Sequence, residues 1–416
     1  MRVDLHERLI ASDCAIQAAA LVESCVHCGL CASVCPTYEM LENELDSPRG
    51  RIYLIRDTLQ GGTATAVTRG HLDNCLHCKA CETACPSGVQ YGHLIDLGQQ
   101  LINAQQPRPF WQRAKRLAIR SVMTCRPALG TLARIGWALK PCLPGRLRAL
   151  VPDRPALATG LAPRHARHVL SLQGCVQPVF TPGHDAALSL LLDRFGVAMV
   201  HASGGGCCGA LSQHLDAPHA AKAAMRRNID AWWPAIERGA EAILSSSTGC
   251  GAQLKDYGHL LRDDPAYAPK AARVSALVQD PGTFLNALWA ERPLTLKPLA
   301  AGEERLAFHV PCSLRNSLRA KAQVETILRR AGYTLIPVQE EHMCCGSAGA
   351  YSLLQPGRSE ELLTRKLGHL AAGQPSRVVS ANVGCILHLQ KASPVEVGHW
   401  LELLAQRLTD EECSHA

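Results

Sequence analysis

The chain has 416 residues, 47% hydrophobic, 19% charged and 4% aromatic, with a formal net charge of +7. That length leaves room for two to four domains with buried cores, and no apolar run reaches the ~18 residues a membrane-spanning helix needs. Few aromatic residues and no recognisable reading module argue against nucleic acid as a partner.

The opening residues Met1–Arg8 mix acids with bases and lack the apolar core of an export signal. Twenty cysteines in such a chain are expected to bind metal in a reducing cytoplasm rather than to build a disulfide framework. Residues 1–24 read as a leading helix, with Ala15, Ile16, Ala18, Ala19 and Leu21 as its apolar content. Then comes Cys25-x-x-Cys28-x-x-Cys31-x-x-x-Cys35-Pro36, repeated fifty residues later by Cys75, Cys78, Cys81, Cys85 and Pro86. This is the bacterial spacing for [4Fe–4S] clusters, in which the last Cys of each run ligates the other cluster. The expected sets are therefore Cys25, Cys28, Cys31 and Cys85 for one cluster, and Cys75, Cys78, Cys81 and Cys35 for the second. Zinc is the competing ion, because C-x-x-C pairs also build zinc sites, but zinc has no use for a Pro after each fourth Cys.

Between the runs, Ser47-Pro48-Arg49-Gly50 has the form of a helix start, with Ile52, Leu54 and Ile55 available for packing. Helices rather than hairpins between the runs predict an α-helical two-cluster ferredoxin domain over 1–105. Arg49 and Arg51 are read either as solvated surface or as cations facing anionic clusters. Residues 106–165 form a proline-interrupted basic connector: from Arg108 to Arg154 eleven Lys or Arg face one acid, Asp153. Its amphipathic segment Trp111–Arg120 suits an anionic membrane surface or an acidic partner as well as a solvated spacer.

From Arg167 onward strands alternate with helices, and the pattern occurs twice, over 166–300 and 301–416. Strands are expected at 168–172, 197–200 and 242–245, then at 306–310, 334–338 and 377–380; helices are expected near 186–195, 217–238, 321–331 and 358–371. Cys175, Cys207, Cys208 and Cys250 of the first repeat return as Cys312, Cys344, Cys345 and Cys385, at offsets of 137 and 135. Such constancy predicts two homologous α/β domains. Each Cys lies past the carboxyl end of a strand, where open α/β sheets place ligand sites. Four converging thiolates per repeat suit an iron–sulfur cluster, a tetrahedral zinc ion or a redox disulfide. Cys14, Cys125, Cys142 and Cys413 fall outside both patterns and read as ordinary thiols.

The repeats resemble the cysteine-rich CCG domains of heterodisulfide reductases, lactate-utilisation proteins and anaerobic glycerol-3-phosphate dehydrogenase subunits. With the ferredoxin runs in front, the whole chain resembles the iron–sulfur subunits of bacterial glycolate oxidase. The resemblance is carried by Cys25–Tyr38, Ser47–Ile55, Asn228-Ile229-Asp230-Ala231-Trp232-Trp233-Pro234 and Cys344-Cys345-Gly346-Ser347-Ala348-Gly349. It implies an electron-transfer subunit of a flavin-dependent glycolate dehydrogenase, not catalytic alone, taking electrons from an FAD subunit towards a quinone-type acceptor. It also implies a cytoplasmic, peripherally membrane-associated location. The same relay for D-lactate or glycerol 3-phosphate, a thiol–disulfide reductase, and a zinc-stabilised scaffold are the alternatives. CCG domains with a non-cubane cluster usually end in C-x-x-C; here Gln253 and His388 replace the fifth Cys. His388 is thus either a nitrogen ligand or an ordinary histidine.

Overall fold

The computed structural model describes residues 1–148, 151–156, 158 and 160–409. The amino-terminal domain is helical. The leading segment is shorter than its composition suggests: a 3-10 turn at Glu7–Leu9 precedes the helix Asp13–Glu23, capped by Ser12. Ala15, Ala18, Ala19 and Val22 recur at helical spacing on its buried face. They meet Ile52, Ile55 and Leu59 of the helix Pro48–Leu59, and Leu94, Ile95 and Ile102 of the helix Tyr91–Gln105. Ser47 caps the middle helix by accepting the Gly50 N–H at 2.9 Å, and Pro48 takes the first turn, as its sequence predicts. Gly50 is required by contact: a Cβ there would lie 1.9 Å from the Glu44 carbonyl oxygen.

The basic segment folds into two helices, Phe110–Met123 and Arg126–Leu139. It is anchored, not freely solvated. Arg108 and Arg116 both bridge Asp73 of the amino-terminal domain to Asp216 of the first repeat.

Each repeat carries a small parallel sheet. In the first, β1 (Arg167–Ser171), β2 (Val197–Val200) and β3 (Ile243–Leu244) lie in the order β2-β1-β3. In the second, β4 (Arg305–Phe308), β5 (Thr334–Ile336), β6 (Arg377–Ser380) and β7 (Val397–His399) lie in the order β5-β4-β6-β7. The strand β7 was not expected; Val278, bridged to Ile243, occupies the matching edge of the first repeat. Helices Pro218–Glu237 and Pro356–Ala371 fill equivalent places. One apolar core runs through both repeats, from Val169, Leu188 and Leu192 to Phe308, Val324 and Trp400. Polar contacts join them at matching positions. Asn382 accepts from Ser247 Oγ at 2.8 Å, and the Thr248 N–H donates to the Ala381 carbonyl.

Candidate metal centres

The two ferredoxin runs adopt the same backbone. The third and fifth residues of each, His27 and Gly29 in one and His77 and Lys79 in the other, are left-handed. These turns wrap each loop around its own centre. Cys25, Cys28 and Cys31 line one cavity together with Cys85; Cys75, Cys78 and Cys81 line another together with Cys35. Cys81 and Tyr91 border both, so the cavities are neighbours. Burial pushes the Cys31 thiol up to about 11 and those of Cys78 and Cys81 well above the ordinary thiol range. Buried thiols of that kind give up protons readily only to a metal. Two buried donors in these spaces, His27 Nε2 and Tyr91 Oη, have no hydrogen-bond partner. An anionic sulfide-bearing group is the kind of acceptor such orphans need, so the residues fit an iron–sulfur cluster.

Of the two arginines, Arg51 is the one drawn inside. It is 1% exposed, lines the second cavity, and donates to the His71 carbonyl at 2.7 Å and to Thr37 Oγ1 at 2.9 Å. Arg49 lines the first cavity and pairs with Glu44 at 2.7 Å.

The CCG cysteines also gather by repeat. Cys207 contacts Cys175 and Cys208, which in turn contacts Cys250. Cys344 contacts Cys312 and Cys345, which in turn contacts Cys385. Gly209 and Gly346, at φ of 94° and 87°, turn each vicinal pair inward and donate their N–H groups to Cys207 and Cys344 Sγ at 3.5 and 3.4 Å. Thiol and N–H donors hold Cys344 well below the ordinary thiol range. In the first repeat, Asn228 accepts from the Gly206 N–H and donates to the Cys207 carbonyl, while Tyr257 Oη donates to the Cys208 carbonyl. The Asn-Ile-Asp-Ala-Trp-Trp stretch thus braces the first vicinal pair.

The two centres are not equivalent. In the second, the ring of His309 joins Cys345 and Cys385, with their donor atoms all within 4.8 Å of one another. Its Nδ1 meets Ser380 Oγ at 2.9 Å, which leaves Nε2 for the thiols. The first repeat has Leu172 at that position. His309 was not singled out by its sequence, although it stands three residues before Cys312. His388 is engaged elsewhere, with Ser359 Oγ at 3.2 Å. Asn382 Nδ2 donates to Cys385 Sγ at 3.3 Å, and Lys366 is buried beside Cys344 and Cys345.

The second centre also touches the ferredoxin domain. Cys78 and Cys312 pack on the cluster formed by Leu76, Met343, Cys344 and Tyr351. A π-helical turn, Ser313–Leu318, begins just after Cys312 and presents Asn316, whose Nδ2 donates to the Cys78 carbonyl at 2.8 Å. Tyr351 Oη, in the same cluster, is a further buried donor without a partner. Of the remaining thiols, Cys14 is raised to about 11 by burial, Cys125 and Cys142 are exposed, and Cys413 lies outside the described residues.

Comparison with known proteins agrees with this layout. Residues 21–89 match the 4Fe-4S dicluster domain model, and residues 169–255 and 306–390 match the cysteine-rich CCG domain model. The glycolate oxidase iron-sulfur subunit of Escherichia coli (strain K12) is 43% identical over 412 residues, covering 99% of this chain and 100% of that one. The chain belongs to the glycolate oxidase iron–sulfur subunit family. A second relative, from Bacillus subtilis (strain 168), is named "Probable glycolate oxidase iron-sulfur subunit" and is 30% identical over 401 residues, 88% of each chain. Lactate utilization protein A of Bacillus licheniformis is 27% identical over 240 residues, 56% of this chain and 97% of that protein. Members of this family are iron–sulfur proteins of oxidoreductase complexes, and an electron-transfer role follows for this chain. Among the described residues no helix is long and apolar enough to cross a membrane.

Proposed function

We propose that this chain is the electron-transfer subunit of a flavin-dependent glycolate dehydrogenase, receiving electrons from an FAD subunit and passing them towards a quinone-type acceptor. Cys25, Cys28, Cys31 and Cys85 hold one [4Fe–4S] cluster, and Cys75, Cys78, Cys81 and Cys35 the second. Cys312, Cys344, Cys345 and Cys385, with His309, hold a further metal group, and Cys175, Cys207, Cys208 and Cys250 are the matching set of the first repeat. When bound, such clusters supply one-electron carriers that split the two-electron chemistry of a flavin. The protein's part is to bury the thiolates, to place Arg51 beside the second set, and to press Cys78 against the Met343–Cys344 segment. That contact carries the proposal: it sets the second ferredoxin run against the second CCG set, while Cys81 and Tyr91 border both ferredoxin cavities.

Glycolate as the donor rests on the full-length 43% relative. A peripheral membrane contact is supported by the outer side of the basic segment. Phe110 and Trp111 are 70% and 79% exposed, and Leu132, Ile135 and Leu139 form an exposed stripe along the next helix. Apolar side chains among exposed bases such as Arg113 suit an anionic lipid surface. The decisive experiment is anaerobic purification of the chain with iron, sulfide and EPR analysis, followed by glycolate oxidation with an artificial acceptor. The chain alone is expected to be inactive and to become active with the flavoprotein. Turnover by the flavin-free chain alone would overturn the reading.

A further inference from the structure

Where the ferredoxin domain meets the first repeat, three side chains outside every thiol set face one another. His77 lies inside the second Cys run, in a left-handed turn whose N–H donates to Cys75 Sγ at 3.4 Å. Asp96 lies on the helix Tyr91–Gln105, and His214 ends the short helix Ala210–His214 just after the first vicinal pair. Their donor atoms all lie within 4.8 Å of one another.

The individual distances are informative. Asp96 Oδ1 is 3.4 Å from His77 Nδ1 and 3.7 Å from His214 Nδ1, both too long for good hydrogen bonds. Asp96 Oδ1 and His214 Nδ1 are buried and have no hydrogen-bond partner. The other carboxylate oxygen accepts from Gln213 Nε2 at 3.2 Å, which orients the group and leaves Oδ1 turned to the imidazoles. The two rings sit with centroids 4.3 Å apart and planes tilted by 43°, splayed rather than stacked. Ligands bound about 2.0–2.1 Å from a tetrahedral zinc ion lie about 3.3 Å from each other. The observed separations are therefore too wide for a hydrogen-bonded chain and close to the edges of a coordination tetrahedron. Along the same interface Asp256 provides the contrast: it faces His93 at 3.6 Å, but Lys79 Nζ meets it at 2.8 Å and satisfies its charge. Asp96 has two imidazoles and an amide around it instead.

We propose that His77, Asp96 and His214 form a site for a divalent transition ion of the zinc class, which ties the ferredoxin domain to the first repeat. Water completes the coordination. His214, 37% exposed against 15% for His77 and 13% for Asp96, marks the side from which the ion enters. Because His77 stands between Cys75 and Cys78, the ion places positive charge beside the second thiol set. The site is independent of which substrate feeds the chain.

The test uses the full chain, purified anaerobically with its clusters, exposed to Zn²⁺ and desalted through a weak chelator. Zinc, iron and sulfide are counted per chain for wild type, His214→Ala and Asp96→Asn. The expected result is one zinc equivalent fewer in each variant, with iron and sulfide unchanged. Equal zinc in all three would overturn the proposal. Should either substitution cost the protein its clusters, Co²⁺ titration of the wild type decides. One equivalent of high-spin Co²⁺ with only nitrogen and oxygen ligands, displaced by Zn²⁺, supports the site; uptake confined to thiolate-ligated Co²⁺ overturns it.

Discussion

Arg51 spreads its guanidinium over Thr37, Asp46 and the His71 carbonyl while bordering the second ferredoxin cavity. Burial works against its charge, but Tyr91, Cys75, Cys35 and Asp46 around it hold it protonated. Arg51→Ala removes a buried cation and leaves Thr37 and the His71 carbonyl without its N–H groups, while Asn74 at 2.7 Å and His71 at 3.1 Å still hold Asp46; it is expected to cost about 1–3 kcal/mol in chemical denaturation. His309 was hidden in the sequence for a physical reason. Its partners Cys345 and Cys385 lie far along the chain, and a repeat comparison highlights what the halves share, not the Leu172/His309 difference. His309→Ala should lower metal content or alter the EPR signal of the second CCG centre while leaving both ferredoxin signals in place. Asp280 offers a pH readout. Burial raises its carboxyl from 3.8 to about 7, against the donated Gly282 N–H. The folded state therefore holds a proton that the unfolded chain releases near pH 4. The resulting stability is complete below that pH and declines as pH rises to about 7, by up to about 1.4 kcal/mol per pH unit. Asp280→Asn should flatten that decline in denaturation measured from pH 4 to 7.

At the scale of elements, regular spacing was legible and distant partnership was not. The Cys runs, the Ser47 cap and the main repeat strands are local patterns, and β2 and β6 keep their expected bounds. β7 is three residues with a central Gly, too short for an alternation signal. The basic segment looked like a single charged face because Asp73 and Asp216, which neutralise Arg108 and Arg116, lie in other domains. Its bases thus divide between internal struts and outward groups. Reversing Arg116 to Glu should loosen the junction and increase protease sensitivity. Reversing Arg113 with Leu132→Ser, Ile135→Ser and Leu139→Ser should leave the fold intact and weaken co-sedimentation with anionic vesicles. In the vicinal turn, Gly346→Ala places a Cβ 2.5 Å from the Ser359 carbonyl oxygen at a φ of 87°. Backbone strain alone sets a cost of about 1–3 kcal/mol, and loss of metal from the second repeat should accompany it.

Over the whole molecule, the domain order was readable because each module carries its own cysteine rhythm; the way the modules touch was not. Contacts between the modules, such as Asn316 on Cys78 and Arg358 on Asn74, join residues more than two hundred positions apart. In the proposed crossed arrangement each fourth thiol, Cys85 or Cys35, lines the cavity of the opposite run. Cys35→Ser should therefore diminish the signal associated with Cys75, Cys78 and Cys81, and Cys85→Ser that of the opposite run, as read by EPR on anaerobically prepared protein. Damage confined to the run that carries the substitution would refute the crossed arrangement.

The Cys78–Met343 contact has a consequence for ancestry. A tandem duplication begins with interchangeable halves, but here it is the second half that packs its vicinal pair against a ferredoxin cysteine, Cys78. The first half meets the ferredoxin domain through His214 and Asp256 instead, and carries Leu172 where its sister has an imidazole. A chimaera carrying two copies of the first half should then be an insulated wire. It would fold and charge its ferredoxin clusters, yet discharge them more slowly than the natural chain in stopped-flow reoxidation.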